Sequence, residues 1–388
     1  MRTGRWCRNV LLWIGVMLLG TVILPGRTVE AAADGELPED YAAYFESSGA
    51  DELFSLAPEP AQELLEENGI SALDENTMLE LDIGQFWQVL LDELARQLSQ
   101  PVRLLTMTVG MILAAAMMGM LQGTAEPGGS QVFSVVVVLG TCAVIVTPMI
   151  DLIREMTGLV DEVGRFFTGF IPVYAGIAAA SGRPVSAFTY QSILLTVIQV
   201  ISYLMTHVLI PLICVYLALS ISGAATHRIK TGGIAAAIRS AVVWCLGLFL
   251  TVFVSLLTIK GFAAGAADSV SFRTGKFLVG SLVPIVGGAV SDAMTVVQGS
   301  LGVIRSSVGA FGILVILLTF LPAVLTLFLM NLVVKLSRAA GDALGVSEVS
   351  GLLESVGFVL NLLLAVLVCF AVMLIVAVTL MLALGSGT

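Results

Sequence analysis

Histidine is almost missing from this chain of 388 residues: His207 stands alone in an apolar run and His227 in a basic loop. Zinc hydrolases and histidine-based acid–base centres need several such groups at set spacings. No HExxH, zinc-ligand spacing, GxSxG elbow or Walker phosphate loop occurs. Cysteine is scarce as well. Cys142, Cys214, Cys245 and Cys369 each sit singly in apolar runs and Cys7 lies near the N-terminus. None has a CxxC or Cys/His spacing, so neither a disulfide framework nor a metal site is expected. Charged residues make up only 12% of the chain. Asp292, the one carboxylate inside an apolar stretch, has no evident mate, whereas an intramembrane aspartyl protease needs two facing carboxylates. These absences argue against an enzyme, a cofactor and a bound metal. Without a nucleotide loop, any transport would draw on a gradient or on a partner's energy.

What the chain has in abundance is hydrocarbon. A mean hydropathy of +1.00 and 57% hydrophobic residues, drawn into runs near ~20 residues, specify an all-α polytopic membrane protein. Three organisational units follow. Residues 1–33 carry Arg2, Arg5 and Arg8, an apolar run from Val10 to Leu24, and Ala31-Ala32-Ala33, the layout of a secretory signal peptide, with an uncleaved first span as the alternative. Residues 34–100 form an acidic extracytoplasmic segment with 17 Asp/Glu against the single cation Arg96, a net of −16. Residues 101–388 form the transmembrane domain. A short helix is expected from Pro60 to Glu67, stopped by Asn68-Gly69. An amphipathic helix over 82–98 is expected to end at Pro101. The segment is either a docking element, for the bilayer or for an extracytoplasmic protein with a basic face, or a solvated tether. Nucleic acid is excluded as a partner by the same negative charge.

Spans are expected at 102–122, 132–150, 188–206, 208–225, 240–259, 308–334 and 356–384, with two shorter, interrupted segments at 166–182 and 277–304. The interrupted segments share a pattern. Gly164-Arg165-Phe166-Phe167-Thr168-Gly169-Phe170-Ile171-Pro172 continues to Gly176. Gly275-Lys276-Phe277-Leu278-Val279-Gly280-Ser281-Leu282-Val283-Pro284 continues to Gly287, Gly288 and Asp292. Matching Gly/Pro-broken helices in two halves of a membrane protein are expected near a central site or passage. The competing reading is a repeated packing elbow. Arg165 and Lys276 either snorkel to the headgroups or hold an anionic solute. Asp292 either caps a helix or acts within the membrane. Asn331 and Asn361 are expected to hydrogen-bond between helices. Basic loops at His227–Lys230 with Arg239, and at Lys335 with Arg338, should face the cytoplasm. That puts the acidic segment outside if 166–182 crosses and 277–304 enters and returns. Arg183 then falls inside and Lys260, Arg273, Lys276 and Arg305 outside. Units 132–230 and 240–338 become parallel repeats.

The signal-like N-terminus, the acidic segment and above all Lys276–Ala293, with its Gly, Pro and Asp positions, resemble the stage III sporulation protein AE family of endospore-forming bacteria, over essentially the whole chain. The resemblance implies a multi-pass component of the assembly joining mother cell and forespore, which acts as a channel or feeding apparatus for late forespore development. It implies the mother-cell-derived membrane around the forespore, an acidic segment in the intermembrane space, and other channel subunits as partners, with copies of the chain itself as a further one. It carries no catalytic residues. The alternative reading is a gradient-driven, permease-like conduit for a small solute.

Overall fold

The structure, a computed structural model, describes residues 49, 52–67, 92–93, 95–122, 129–225, 232–282 and 287–383; over 120–122, 129–135, 224–225, 232, 261–267, 269–282, 287–300, 347–348 and 383 it describes the backbone path alone. The expected signal peptide, Asn68-Gly69, most of the 82–98 helix and Pro284 lie outside these residues.

All the regular structure described is helical. Two short helices, α1 (Leu53–Leu56) and α2 (Glu59–Glu67), precede α3 (Ser99–Gln122), α4 (Gly129–Ala180), α5 (Pro184–Leu204), a π-helical turn (Met205–Leu209), α6 (Ile210–Ala225), α7 (Gly232–Leu282), α8 (Gly287–Ala343) and α9 (Ser347–Ala383). Six of the described helical rods are long and apolar enough to cross a membrane. At 52, 51 and 57 residues, α4, α7 and α8 run about 76 to 86 Å at 1.5 Å per residue, more than twice a ~30 Å hydrocarbon core.

Length is where the structure departs most from the expected span map. The spans 132–150 and 166–182 are one rod, α4. The residues between them, expected as an outer loop, are helical because Leu152, Ile153, Met156, Leu159, Val160 and Val163 fall on one buried face. Likewise 188–206 and 208–225 join through the π-helical turn just before Pro211, whose missing N–H a widened turn accommodates. In α8 the backbone is continuous from Gly287 through 304 into 308–334. The expected entry and return over 277–304 falls on the last turns of α7, described to Leu282, and the first part of α8, described from Gly287, with Pro284 outside the described residues. Pro101, expected as a stop, lies in the first turn of α3, where its absent N–H has no helical acceptor to miss.

Hairpin signals sit at the rod ends. Ser181-Gly182-Arg183 closes α4: Gly182 has φ +88°, and the Arg183 N–H reaches Ala178 O at 3.3 Å, a glycine-terminated helix end. Pro184 then opens α5 at its first position. Gly345, φ +74°, does the same between α8 and α9, with Val346 N–H on Gly341 O at 3.0 Å. Across that hairpin Asn331 Nδ2 donates to Asn361 Oδ1 at 2.8 Å, as expected of membrane asparagines. Beside the turn, Arg338 reaches Glu354 at 3.1 Å.

α9 is the axis of the bundle. Val359, Leu360, Leu363, Leu367, Phe370, Leu374 and Val378 are all buried, and α9 touches α4, α6, α7 and α8. The described residues 52–67 of the acidic segment are tied to the bundle. Ala61, Leu64 and Leu65, spaced i, i+3, i+4 on α2, are buried and α2 packs on α8. Glu59, Glu63, Glu66 and Glu67 face outward. Arg96 grips Glu67 with two bonds of 2.9 and 3.0 Å.

Candidate functional site

Contacts between rods fix their relative depth. A Cβ on Gly164 would sit 3.3 Å from the Ser202 hydroxyl, so α4 and α5 pair antiparallel about the Gly182 turn. On its other side α4 meets α8, where Gly312 makes room for the Phe170 ring; a Cβ there would come within 2.5 Å of it. Phe166, Phe167, Phe170 and Tyr174 form a continuous aromatic ladder, with ring centroids 5.3 to 5.9 Å apart, and all four are fully buried. Eight residues from Gly312, Phe320 meets Phe370 edge-on. The neighbouring Cys369 thiol lies 3.9 Å from Leu246 O. Leu246, Phe320, Ser202 and the residues around Glu162 thus lie at one depth.

At that depth the outer surface is divided. On α5 and α6 the outward residues are Val200, Tyr203, Val208 and Val215; on α7 they are Trp244, Leu248, Val252 and Leu256; on α8, Phe328. On α4 they are Asp151, Arg154, Glu155, Asp161, Glu162 and Arg165, all exposed, with Gly158 between them. Their spacing of 3, 1, 3, 3, 1 and 3 keeps all seven on one helical face. An apolar belt is therefore interrupted on one rod by four carboxylates and two guanidinium groups over about 21 Å of helix. Charges do not face hydrocarbon at a cost of ~2.5–3.5 kcal/mol each; they face water, protein or each other. This face is the candidate site. The sequence carries its signal, since polar residues at a 3.6 period alternate with the buried Leu/Val/Met positions.

The residues expected to form broken elbows are distributed differently. Gly164, Arg165, Pro172 and Gly176 lie inside α4, which is unbroken there; this corrects the half-helix expected over 166–182. Pro172 leaves only the Thr168 carbonyl without its usual donor, and membrane helices tolerate this. Arg165 belongs to the charged face, and Gly164 serves the close approach of α5. Gly275 and Lys276 lie within the last turns of α7, and Gly287 and Gly288 begin α8. Asp292 is the sixth residue of α8, too far in to be its N-cap. The two motif copies therefore occupy unequal positions, one inside a rod and one spanning the interval between two.

At the outer end of the α4–α5 hairpin a second polar group gathers. Asp268 of α7, 3% exposed, accepts from the Val185 and Ser186 amides at 2.9 and 2.8 Å, satisfying the open start of α5. Arg183 and Arg305 line one cavity there. That overturns the expected placement of Arg183 on the opposite side from Arg305: fusing two spans into α4 removes one crossing and brings Arg183 to the end that holds Arg305. Neither Asp268 nor this cavity was visible in the sequence, because Asp268 joins α7 to α5 and the cavity gathers residues of α4, α5, α8 and α9.

Among the described residues no group of His, Cys, Asp and Glu could hold a metal ion, and the four described cysteines are free.

A sequence model of the family described as stage III sporulation protein AE matches residues 70–385. Stage III sporulation protein AE of Bacillus subtilis (strain 168) is 25% identical over 396 residues, spanning 96% of this chain and 98% of the relative. No solved structure matches the chain.

Proposed function

The chain belongs to the stage III sporulation protein AE family, and from that membership we propose that it is a membrane component of the channel or feeding apparatus between mother cell and forespore, in which the charged face of α4 borders a water-filled passage. Its role lies in sporulation and its rods make it a multi-pass membrane protein. By this reading it resides in the mother-cell-derived membrane, with the acidic segment in the intermembrane space and other channel subunits or further copies against α4. The observation that carries it is the six-charge face of α4 at the depth of exposed valine, leucine, phenylalanine and tryptophan on α5 to α8. A route through the middle of one copy is disfavoured, because α9 fills that middle with leucine, valine and phenylalanine. The permease-like alternative therefore also needs its route along α4, between chains.

The test replaces Asp151, Glu155, Asp161 and Glu162 together by leucine in sporulating cells. Membrane level should hold while spore formation, and any measurable solute passage into the forespore, falls by at least tenfold. Unchanged spore yield would place this face against lipid or an indifferent neighbour and end the proposal. Loss of co-purified membrane partners with passage gone would identify the face as a subunit joint instead.

A further inference from the structure

Gly164 and Ser202 meet where α4 and α5 touch, so the two antiparallel rods share that depth. Five residues on from Ser202, His207 stands opposite Leu159, five residues before Gly164. Arg165 and Tyr203 each follow the touching residue of their rod by one step of 100°, and in antiparallel helices that turns both to the same side of the pair. The charged face of α4 and the face of α5 and its π-helical turn that carries Tyr203 and His207 are therefore two halves of one outer surface. Their characters are complementary. The α4 half holds four carboxylates and two guanidinium groups, a net of −2. Residues 184–225 contain no Asp, Glu, Lys or Arg, and His207 is the one residue there able to take a positive charge. His207 is exposed and stacks on the exposed Tyr203 ring, with centroids 4.4 Å apart. The Thr206 hydroxyl donates its single hydrogen to Ser202 O at 3.0 Å and lies 2.7 Å from His207 Nδ1. It therefore accepts from Nδ1–H, which leaves Nε2 for another partner. An imidazole at the depth of exposed valine is not left to hydrocarbon, and π-helical turns recur at functional positions. Opposite it in depth, a Cβ on Gly158 would meet nothing within 4 Å, so an open notch lies among Glu155, Asp161 and Glu162.

We propose that a second copy of this chain docks on this surface, Tyr203 and His207 of each copy seating in the Gly158 notch of the other, with one proton shared between His207 Nε2 and Asp161 or Glu162. A two-fold axis along the membrane normal keeps both copies in one orientation and every residue at its own depth. It lays each α4 on the other copy's α5 and makes the same contact twice. Pairing α4 with α4 would set carboxylates against carboxylates, whereas α5 presents none. The chain's own residues 68–91 suit the face no better, since they hold four carboxylates and no cation. One proton between a carboxyl and Nε2 satisfies both groups, whichever of them holds it. The inference rests on the channel reading only in taking protein, not lipid, to stand opposite α4; it names that protein, and the pairing holds even if no solute passes.

The experiment co-expresses two differently tagged full chains lacking the native cysteines, one with Gly158→Cys and the other with His207→Cys, and oxidises the membranes with copper phenanthroline. A disulfide-linked product bearing both tags should form, and two Gly158→Cys copies should form none. Energy transfer between labelled full chains in liposomes then measures the dimer. His207→Ala should weaken it by at least ~10-fold, as loss of a hydrogen bond to a charged group implies. Gly158→Leu, which fills the notch, should abolish it and leave the melting temperature unchanged, since nothing in the chain lies against that position. Absence of the mixed product, linkage of Gly158→Cys to Gly158→Cys in its place, or energy transfer that survives both His207→Ala and Gly158→Leu would overturn the pairing. None of these readouts needs a passage, so unchanged spore yield in the four-leucine variant would end the channel reading and leave a cross-linked dimer standing.

Discussion

Asp268 does at one residue what sequence inspection assigned to Asp292. Its carboxylate, buried, meets two backbone N–H groups at the start of α5 from a rod 82 residues away. Charge-assisted bonds of this kind are about twice as strong as neutral ones. Asp268→Ala strands both amides and should lower stability by about 2 kcal/mol, with Asp268→Asn keeping part of it. Thermal unfolding in detergent measures this, and an Asp268→Ala protein melting with the native one would refute the capping role. Glycines separate in the same way. Gly312 faces the Phe170 ring, whereas a Cβ on Gly176 meets nothing within 4 Å. Gly312→Ala should therefore cost about 1–3 kcal/mol by overpacking. Gly176→Ala should be neutral or gain up to ~1 kcal/mol from helix propensity. Equal effects at the two sites would mean that the α4–α8 contact is looser than described.

At the scale of an element, α4 decides what the Gly/Pro pattern means. With the helix unbroken through Pro172, Pro172→Ala supplies the N–H that the Thr168 carbonyl lacks. Stability should be unchanged or raised, by at most about 3 kcal/mol, and helix content by circular dichroism should not fall. A collapse of the fold would show that the proline shapes the rod. Much of α4 was legible in the sequence: its apolar ends by hydropathy, its stop by Ser181-Gly182-Arg183-Pro184, and the acidic segment's α2 by its leucine spacing. The middle was misjudged because six charges within fifteen residues look like a loop when hydropathy is averaged. Only the phase of Leu152, Met156, Leu159 and Val163 against Asp151, Glu155, Glu162 and Arg165 tells a helix. The Pro172–Pro284 match misled for a related reason. A proline ends a helix only where nothing packs around it to hold the flanking turns, and at Pro172 the neighbours Phe170, Ile171 and Tyr174 are buried, Phe170 against Gly312 of α8.

For the whole molecule, the six described rods long enough to cross a membrane have one consequence that the residue and element scales do not. With α3 parallel to α8 (Thr326 on Gln97, Gly341 near Ile112), the chain runs down α3, up α4, down α5–α6, up α7, down α8 and up α9. Arg239, Lys335 and Arg338 then share one end: the Arg239 guanidinium lies 4.3 Å from the Phe358 ring, one turn from Glu354, which Arg338 reaches. Arg183 and Arg305 share the other. The compact basic loops favour the cytoplasm for the first end, and on that reading Arg183 and the acidic segment would lie outside together. Single cysteines at positions 183, 239 and 335, in a background lacking the native five, separate this order from the nine-segment one. Arg183→Cys should label from the extracytoplasmic face, and Arg239→Cys and Lys335→Cys from the cytoplasmic face after permeabilisation. Labelling of Arg183→Cys from the cytoplasm would restore an additional crossing within α4. The rod could not then be continuous, and the depth match that sets six charges beside valine, leucine and tryptophan would fail with it.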